Sequence, residues 1–376
     1  MSFQIYLSAK IHIFCYTTKF YPKKICRIDN FIYLCLQILH INDQTMKQLS
    51  IIIPVYNTEN YIRSCIESLF RQGLDEECFE VIIVNDGTKD KSMEVISDIL
   101  QLHRNIIIID QENQGISIAR NNGMAKAQGE YILLMDSDDL LIENSLPKLL
   151  EIAFEKKPDF VVADYYRMND EDILRFNGTY QTFQYEEKTG EQLFIENLNP
   201  NECYIWRILL NKDFLRREQI SFVPDIRYED IPFIHEIFIK AKNCIKTNWL
   251  LYIYRIGHES ITFSFNKNKA MDLCIAIGKT YELRKIDGLS KEILYKLEED
   301  IYTSFSYLFY AMLHSVKSSK DRKEVVCCLC SNVPKLKFRH SLKRRIESLL
   351  LNNAPYLYLR LMEWHWKWIT RNHKTE

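Results

Sequence analysis

The sequence predicts an α/β fold: a mostly parallel central sheet flanked by helices, followed by a C-terminal helical extension. Three observations carry this reading. From Leu49 onward, short apolar runs alternate with segments of helical spacing, the pattern of strands joined in parallel through crossover helices. The runs LSIIIPV, FEVIIV and YILLM are predominantly apolar, as strands covered on both faces are. After Ser264 the strand signals stop and helical spacing takes over, which sets a boundary near 266.

Leu49 to Val55 is β-branched and ends at Pro54 and the polar pair Asn57-Thr58. A helix follows over about 59–71, with Ile62, Cys65, Ile66 and Leu69 on one face. Phe79 to Val84 reads as the second strand, closed by the turn signal Asp86-Gly87. Lys91 to Leu100 reads as a helix, Ile106 to Ile109 as a strand and Ser117 to Ala127 as a helix closed at Gly129. The next strand runs straight into Asp136. Phe160 to Ala163 and Leu250 to Tyr254 are further strands, TYQTFQY is extended, and Trp206 to Leu215 reads as helical.

The bulk numbers are those of a folded globular chain: 376 residues, 47 % hydrophobic and 26 % charged. A formal net charge of -1 leaves no global field to recruit nucleic acid. The 11 cysteines have no disulfide-scaffold density; Cys65 reads as a buried thiol, and Cys327, Cys328 and Cys330 form only half a zinc knuckle. Residues 1–45 carry apolar stretches broken by Lys23, Lys24, Arg27 and Asp29, too short to span a bilayer. They read as an N-terminal extension, with Met46 a candidate for the true start.

Four apolar residues, Ile132 to Met135, deliver Asp136, Asp138 and Asp139 to the end of a strand. Unpaired buried carboxylates are costly, so the cluster suits a hard divalent cation shared with a phosphate-bearing ligand. Asp136 and Asp138, one residue apart in extended chain, point to the same side. A solvated turn with Asp139 capping the next helix is the plainer alternative. Neither GxGxxG nor GxxxxGK[ST] occurs, so a phosphate ligand would need that metal.

Ligands of parallel α/β sheets bind beyond the carboxyl ends of the strands, where Asn57, Asp86 and Asp136 to Asp139 all fall. Asp86 suits a base N–H or a ribose hydroxyl, or else only an Asp-Gly turn. Arg120 suits the nucleotide, or a structural ion pair. Glu229 and Asp230 precede an apolar helix, which they either cap or serve as general base beside. Arg255 and His258, after LYIYR, could set positive charge against a diphosphate leaving group.

SIIIPVYNTENYIRSCIESLFRQ, VIIVNDGTKDKS, QENQGISIARNNGMAKAQGEYILLMDSDD and YEDIPF resemble, in order and spacing over about 46–265, the family 2 glycosyltransferases. The resemblance implies a GT-A catalytic domain over 46–265 and a helical region over 266–376. It also implies a nucleotide-sugar donor, UDP-linked by preference, Mn2+ or Mg2+, and inversion at the anomeric carbon. Pro54, Tyr56 and Asn57 would lie beside the nucleotide and Asp86 against the base. Asp136-Ser137-Asp138 corresponds to the DxD motif, with Asp138 the direct metal ligand and Asp136 beside it. Asp230, with Glu229, would supply the catalytic base. Relatives that build bacterial capsule, exopolysaccharide or lipopolysaccharide often carry Trp-Asn-Lys before the Glu-Asp pair. Here Trp206-Arg207-Ile208 stands instead, so Trp206 and Asp139 are the acceptor-side candidates and the acceptor itself is open. Gln-x-x-Arg-Trp with membrane spans, the processive-synthase pattern, is missing, which favours transfer of single sugars. A nucleotidyltransferase would show a glycine-rich basic loop that VYNTENYI lacks; a degenerate sugar-nucleotide-binding protein is the non-enzymatic alternative.

Nine basic residues against Glu347 and Glu363 make 337–374 locally positive. Leu357, Leu361, Trp364 and Trp368 form an apolar stripe on a helix, and Arg360, Glu363, Lys367, Arg371 and Lys374 a polar one. Tryptophans beside lysines suit an anionic membrane surface; a helix docked on the protein with its tryptophans buried is the other reading. The expected partners are thus the sugar donor, a glycan or lipid-linked saccharide and that membrane surface, with no nucleic acid and a homo-oligomer left open. The expected place is cytoplasmic, peripheral on the bacterial inner membrane.

Overall fold

Among the described residues a nine-stranded mixed sheet organises the chain. The computed structural model describes residues 47–178, 182–257 and 265–372. The extension 1–45, His258, part of TYQTFQY and Lys374 lie outside the described residues.

The first half alternates as expected. Strands β1 (Leu49–Val55), β2 (Phe79–Asp86), β3 (Ile106–Gln111) and β4 (Tyr131–Leu134) are parallel, in the order β3-β2-β1-β4. Helices α1 (Ile62–Leu69), α2 (Ser97–Leu102) and α3 (Ile116–Lys126) connect them. Side chains of a strand alternate faces, so Ile52, Ile82 and Leu134 enter one core while Ile51, Ile53 and Ile83 enter the other. Two apolar layers explain the long hydrophobic runs, and the polar residues within them, Ser50 and Glu80, bond each other at 2.6 Å. At Gly123 α3 lies so close to β1 that a Cβ would sit 2.3 Å from Ile52 Cγ2. That approach brings Arg120, one turn earlier, under the carboxyl edge of the sheet.

The second half completes the sheet with mixed pairing. The two-residue β5 (Leu140–Leu141) precedes α4 (Leu146–Lys156), and β6 (Phe160–Met168) leads to the short α5 (Asp170–Arg175). Then come β7 (Tyr185–Lys188), α6 (Gly190–Asn197), β8 (Ile208–Asn211), α7 (Lys212–Arg217), α8 (Asp230–Lys240) and β9 (Cys244–Arg255). β8 lies antiparallel between β4 and β6, and β6 runs parallel to β9, which also carries β5 and β7 antiparallel. Hence β1, β2, β4 and β9 all end at one edge.

Three expectations need correction. Trp206 to Leu215 is not one helix: a 3-10 turn at Ile205–Arg207 leads into β8, and Asn211 caps α7 by accepting the Phe214 N–H at 2.9 Å. A three-residue apolar run fits strand and helix alike, and the gap between β4 and β6 decided it. Only Ser97–Leu102 of the helix expected from Lys91 forms. β2 runs through Asp86, which therefore ends the strand instead of following it.

From α9 (Lys267–Glu282) the described chain is helical, through α10 (Lys291–Ser315), α11 (Ser319–Asn332), α12 (Leu342–Asn353) and α13 (Pro355–Asn372). Ala270, Leu273 and Ile277 of α9 share a core with Ile234 and Phe238 of α8. Among the described residues no helix is long and apolar enough to cross a membrane.

Candidate active site

Past β4 the Met135 N–H still bonds Ile52 O at 2.9 Å, which holds the chain on the sheet up to the aspartates. There β9 clamps the turn. The Asp136 N–H donates to Tyr252 Oη at 3.2 Å, and the same hydroxyl donates to Asp139 Oδ2 at 2.9 Å. Asp139 Oδ1 accepts the Arg255 N–H at 2.7 Å, while Arg255 Nε donates to Asp138 O at 2.7 Å. Burial, reinforced by Asp138 and Asp136, pushes the Asp139 carboxyl up to about 9. Asp139 is 1 % exposed and engaged through both oxygens, and it does not cap α4. It anchors the turn.

Arg120 joins the two acidic segments. Its guanidinium, 2 % exposed, donates through Nη1 to Glu229 Oε1 and Asp230 Oδ1, both at 2.7 Å, and through Nη2 to Asp136 Oδ1 at 2.8 Å. Arg120 takes up the ion-pair alternative, in the interior and with three partners. Its Nε is buried without a partner. Burial opposes the guanidinium charge, but Asp230, Asp136 and Glu229 outweigh it and raise the pKa of Arg120. One positive charge does not neutralise three carboxylates. Burial pushes Glu229 up to about 8, with Asp230 adding to it and Arg120 opposing. Burial likewise lifts Asp136 to about 6 against the pull of Arg120. Glu229 and Asp230 are delivered by Tyr228, a bulky residue in the left-handed region at φ 64°. Such strain costs on the order of 1–3 kcal/mol and gathers at functional sites.

The carboxyl ends of β1 and β2 supply a second wall. Asn57, left-handed at φ 56°, follows Pro54 and the half-buried Tyr56. Its N–H bonds Thr88 Oγ1 at 2.8 Å and its Oδ1 accepts the Lys89 N–H at 3.2 Å. Asp86, 3 % exposed, accepts Gln111 Nε2 at 2.8 Å and the N–H groups of Gln114 and Gly115 at 2.7 and 2.9 Å. Asp86 therefore shapes the loop leading into α3. Asp90 was not foreseen. It accepts Thr88 Oγ1 at 2.7 Å, Ser92 Oγ at 2.5 Å and the Glu59 N–H at 2.9 Å, and although burial opposes them these bonds lower its pKa. The Thr-x-Asp-x-Ser spacing in GTKDKS was the signal for it.

Two further expectations change. The Arg255 guanidinium is not held out toward a diphosphate: it pairs with Asp170, reaches Ser64 Oγ at 3.3 Å and lies 5.0 Å over the Tyr61 ring. It braces the aspartate turn from β9. Trp206, 2 % exposed, offers no open face to an acceptor. It stacks between Tyr252, at 4.3 Å, and Tyr204, at 4.8 Å. The more open Tyr204 and Tyr254 cover it.

Ser137 is buried, Asp138 is partly buried, and Asp136 uses Oδ1 for Arg120. Among the described residues no three His, Cys, Asp or Glu side chains converge as a closed metal cage. Asp138 and Asp136 alone form a sparse, hard-oxygen donor set. Its hard oxygens are of the kind that would suit Mg2+ or Mn2+, and they do not fit structural zinc.

Comparison with known proteins places this arrangement. Residues 50–214 match the model of glycosyl transferase family 2. The chain is 35 % identical over 222 residues to the uncharacterized glycosyltransferase EpsJ of Bacillus subtilis, covering 57 % of this chain and 62 % of EpsJ. It is 30 % identical over 258 residues to EpsH of the same organism, named among glycosyltransferases, covering 65 % and 72 %. Glycosyltransferase GlyG of Streptococcus pneumoniae is 29 % identical over 258 residues, 65 % of this chain and 83 % of GlyG. The crystal structure of S. aureus TarS 1-349, in complex with UDP-GlcNAc, superposes with a TM-score of 0.65 at 17 % identity, covering 85 % of this chain and 91 % of TarS 1-349. That likeness establishes the fold. The strand order, the acidic turn, the Glu-Asp pair and the relatives together make this chain a member of glycosyltransferase family 2 with the GT-A fold.

Proposed function

We propose that the protein transfers one sugar from a nucleoside-diphosphate donor, a UDP-sugar by preference, to a hydroxyl of a glycan or lipid-linked saccharide in bacterial surface polysaccharide synthesis. The observation that carries this reading is the Arg120 guanidinium, which holds the aspartate turn and the Glu-Asp pair at one sheet edge. Residues 46–265 form the catalytic domain in this reading, and 266–376 the helical region attached to it.

Asp138 and Asp136 would hold Mn2+ or Mg2+, which when bound neutralises the diphosphate as it leaves. Asp230 takes the proton of the acceptor hydroxyl while that oxygen attacks the anomeric carbon and the bond to the diphosphate breaks on the opposite face. One displacement inverts the centre. Burial and the neighbouring Asp230 push the Glu229 carboxyl toward its protonated form, which favours Asp230 of the pair as the base. Asp86, Asn57 and Tyr56 line the nucleotide side, with Asp86 ordering the 111–115 loop. A lipid-linked acceptor lies at the cytoplasmic face of the inner membrane, where the enzyme works peripherally.

Release of sugar from UDP-sugars, with and without Mn2+ or Mg2+, tests the reading. Metal-stimulated turnover, with transfer to a saccharide acceptor giving the inverted anomer by NMR, supports it. Donor binding without any turnover would instead mark a sugar-nucleotide-binding protein.

A further inference from the structure

The helix α13 is apolar on two sides, and only one is used. Tyr358 and Leu359 are buried in the core, with Met362 and Trp366 packed partly against it, and the Tyr358 ring meets Phe309 at 5.1 Å. On the other side Leu357, Leu361, Trp364 and Trp368 stand exposed, the two tryptophans at 69 % and 55 %. The docked and the exposed readings of the tryptophans therefore hold for different residues. α12, packed on α13, repeats the pattern: Leu351 is buried, while Leu342, Ile346 and Leu349 are exposed at spacings of four and three. An exposed apolar row on each of two adjacent helices exceeds the scatter of single surface leucines.

Charge selects the occupant. Glu363 is turned inward and pairs with Arg322 at 2.9 Å, and Glu347 accepts the Tyr302 hydroxyl at 2.9 Å. Lys343, Arg345, Arg360 and Lys367 are exposed. Arg344 is the basic residue drawn inward, against Glu299 with its guanidinium 3.9 Å from the Tyr302 ring. Over this stretch the acids face the protein and most of the bases face out. A second copy presenting the same face would oppose bases to bases, which like-charge repulsion disfavours. Neither helix is suited to span a bilayer. We infer that the outer face of α12 and α13 docks on an anionic lipid surface, tryptophans and leucines at the headgroup boundary and lysines and arginines on the phosphates. The helices stay folded on the catalytic unit while they do so. The inference rests in part on the reading of a lipid-linked acceptor, but lipid binding is measured without donor or acceptor, so either can fail alone.

Removing α13 would strip Tyr358 and Leu359 from the core, so the test uses outer-face changes in the full chain. Binding is measured by co-sedimentation and tryptophan emission with phosphatidylglycerol–phosphatidylcholine vesicles and with phosphatidylcholine alone. The natural sequence is expected to bind the anionic vesicles in a salt-sensitive manner, with a blue shift as Trp364 and Trp368 leave water. Leu361→Ser/Trp364→Ser/Trp368→Ser is expected to weaken binding by about tenfold or more. Arg360→Glu/Lys367→Glu, which keeps the apolar row, is expected to do the same and decides the matter if the triple variant does not fold. No binding by the natural sequence, or equal binding by the charge-reversed variant, would overturn the inference. So would a dimer in lipid-free solution that the same changes convert to monomer, because the face would then belong to a second copy.

Discussion

Arg120 Nη1 donates to Asp230 Oδ1 at 2.7 Å across 110 residues of chain. The same nitrogen holds Glu229, and Nη2 holds Asp136, so one buried cation fixes the distance between the aspartate turn and the Glu-Asp pair. Removing one partner of a buried ion pair leaves the others uncompensated, at about 3–5 kcal/mol. Arg120→Met is therefore expected to lower stability by that order and to abolish transfer, by urea unfolding and turnover assays. Arg120→Lys, with a single charged point in place of a planar fork, should recover part of the stability and little turnover. Unaltered unfolding of Arg120→Met would refute the hub.

Asp230→Asn keeps size but cannot take the acceptor's proton. Turnover is expected to fall roughly 10²–10⁴-fold, the range for losing a general base, with donor affinity nearly kept. Loss of donor binding on calorimetry would instead make Asp230 an organiser of the pocket.

Asp138→Ala removes the carboxylate assigned to the ion. Calorimetry with UDP is expected to show that Mn2+ no longer strengthens binding, while metal-free affinity stays as in the natural sequence. A persisting metal dependence would take Asp138 out of the coordination sphere.

Glu229 supplies a pH test. Its carboxyl loses its proton near 4.5 in an unfolded chain and near 8 in the fold, driven by burial and then Asp230. The folded form binds more protons between those values, so its contribution is whole below about 4.5 and is lost as pH rises to about 8. The urea midpoint should decline over that window. Glu229→Gln, which does not titrate, should flatten the slope; an equal slope in both proteins would rule out Glu229 as its source.

Tyr252→Phe probes the clamp on the aspartate turn. Its hydroxyl serves Asp139 Oδ2 and the Asp136 N–H together. Leaving buried polar groups unsatisfied costs about 1–3 kcal/mol. Lower thermal stability and a weaker Mn2+ effect on UDP affinity are expected, without the full loss of Asp138→Ala. A variant with unchanged melting would mean that the Arg255 N–H suffices for Asp139.

The strands β1, β2 and β4 were legible because a strand buried on both faces is mostly apolar, a buried polar residue such as Ser50 or Glu80 being admitted where it finds a hydrogen-bond partner. β8 was not, since Ile208, Leu209 and Leu210 fit a helix equally well until β4 and β6 leave a gap between them. Asp136, Asp138, Glu229 and Asp230 were legible as acidic pairs at element ends. Asp139 could not be told from its neighbour in one dimension, although it turns inward to Tyr252 while Asp138 remains partly open.

By itself, then, the amino-acid order determined the α/β class, the edge at which the polar groups gather and the chemical type of each group. Hydrophobic runs and residue type are local properties, and local properties survive in a string of letters. Only the tertiary structure decided which groups meet. Arg120 is drawn into a buried hub, Arg255 into a brace and Trp206 into an aromatic stack, while Trp364 and Trp368 are left outside. Those outcomes depend on burial and on partners distant in the chain, because the cost of an unpaired charge or an exposed ring is set by what folding places around it.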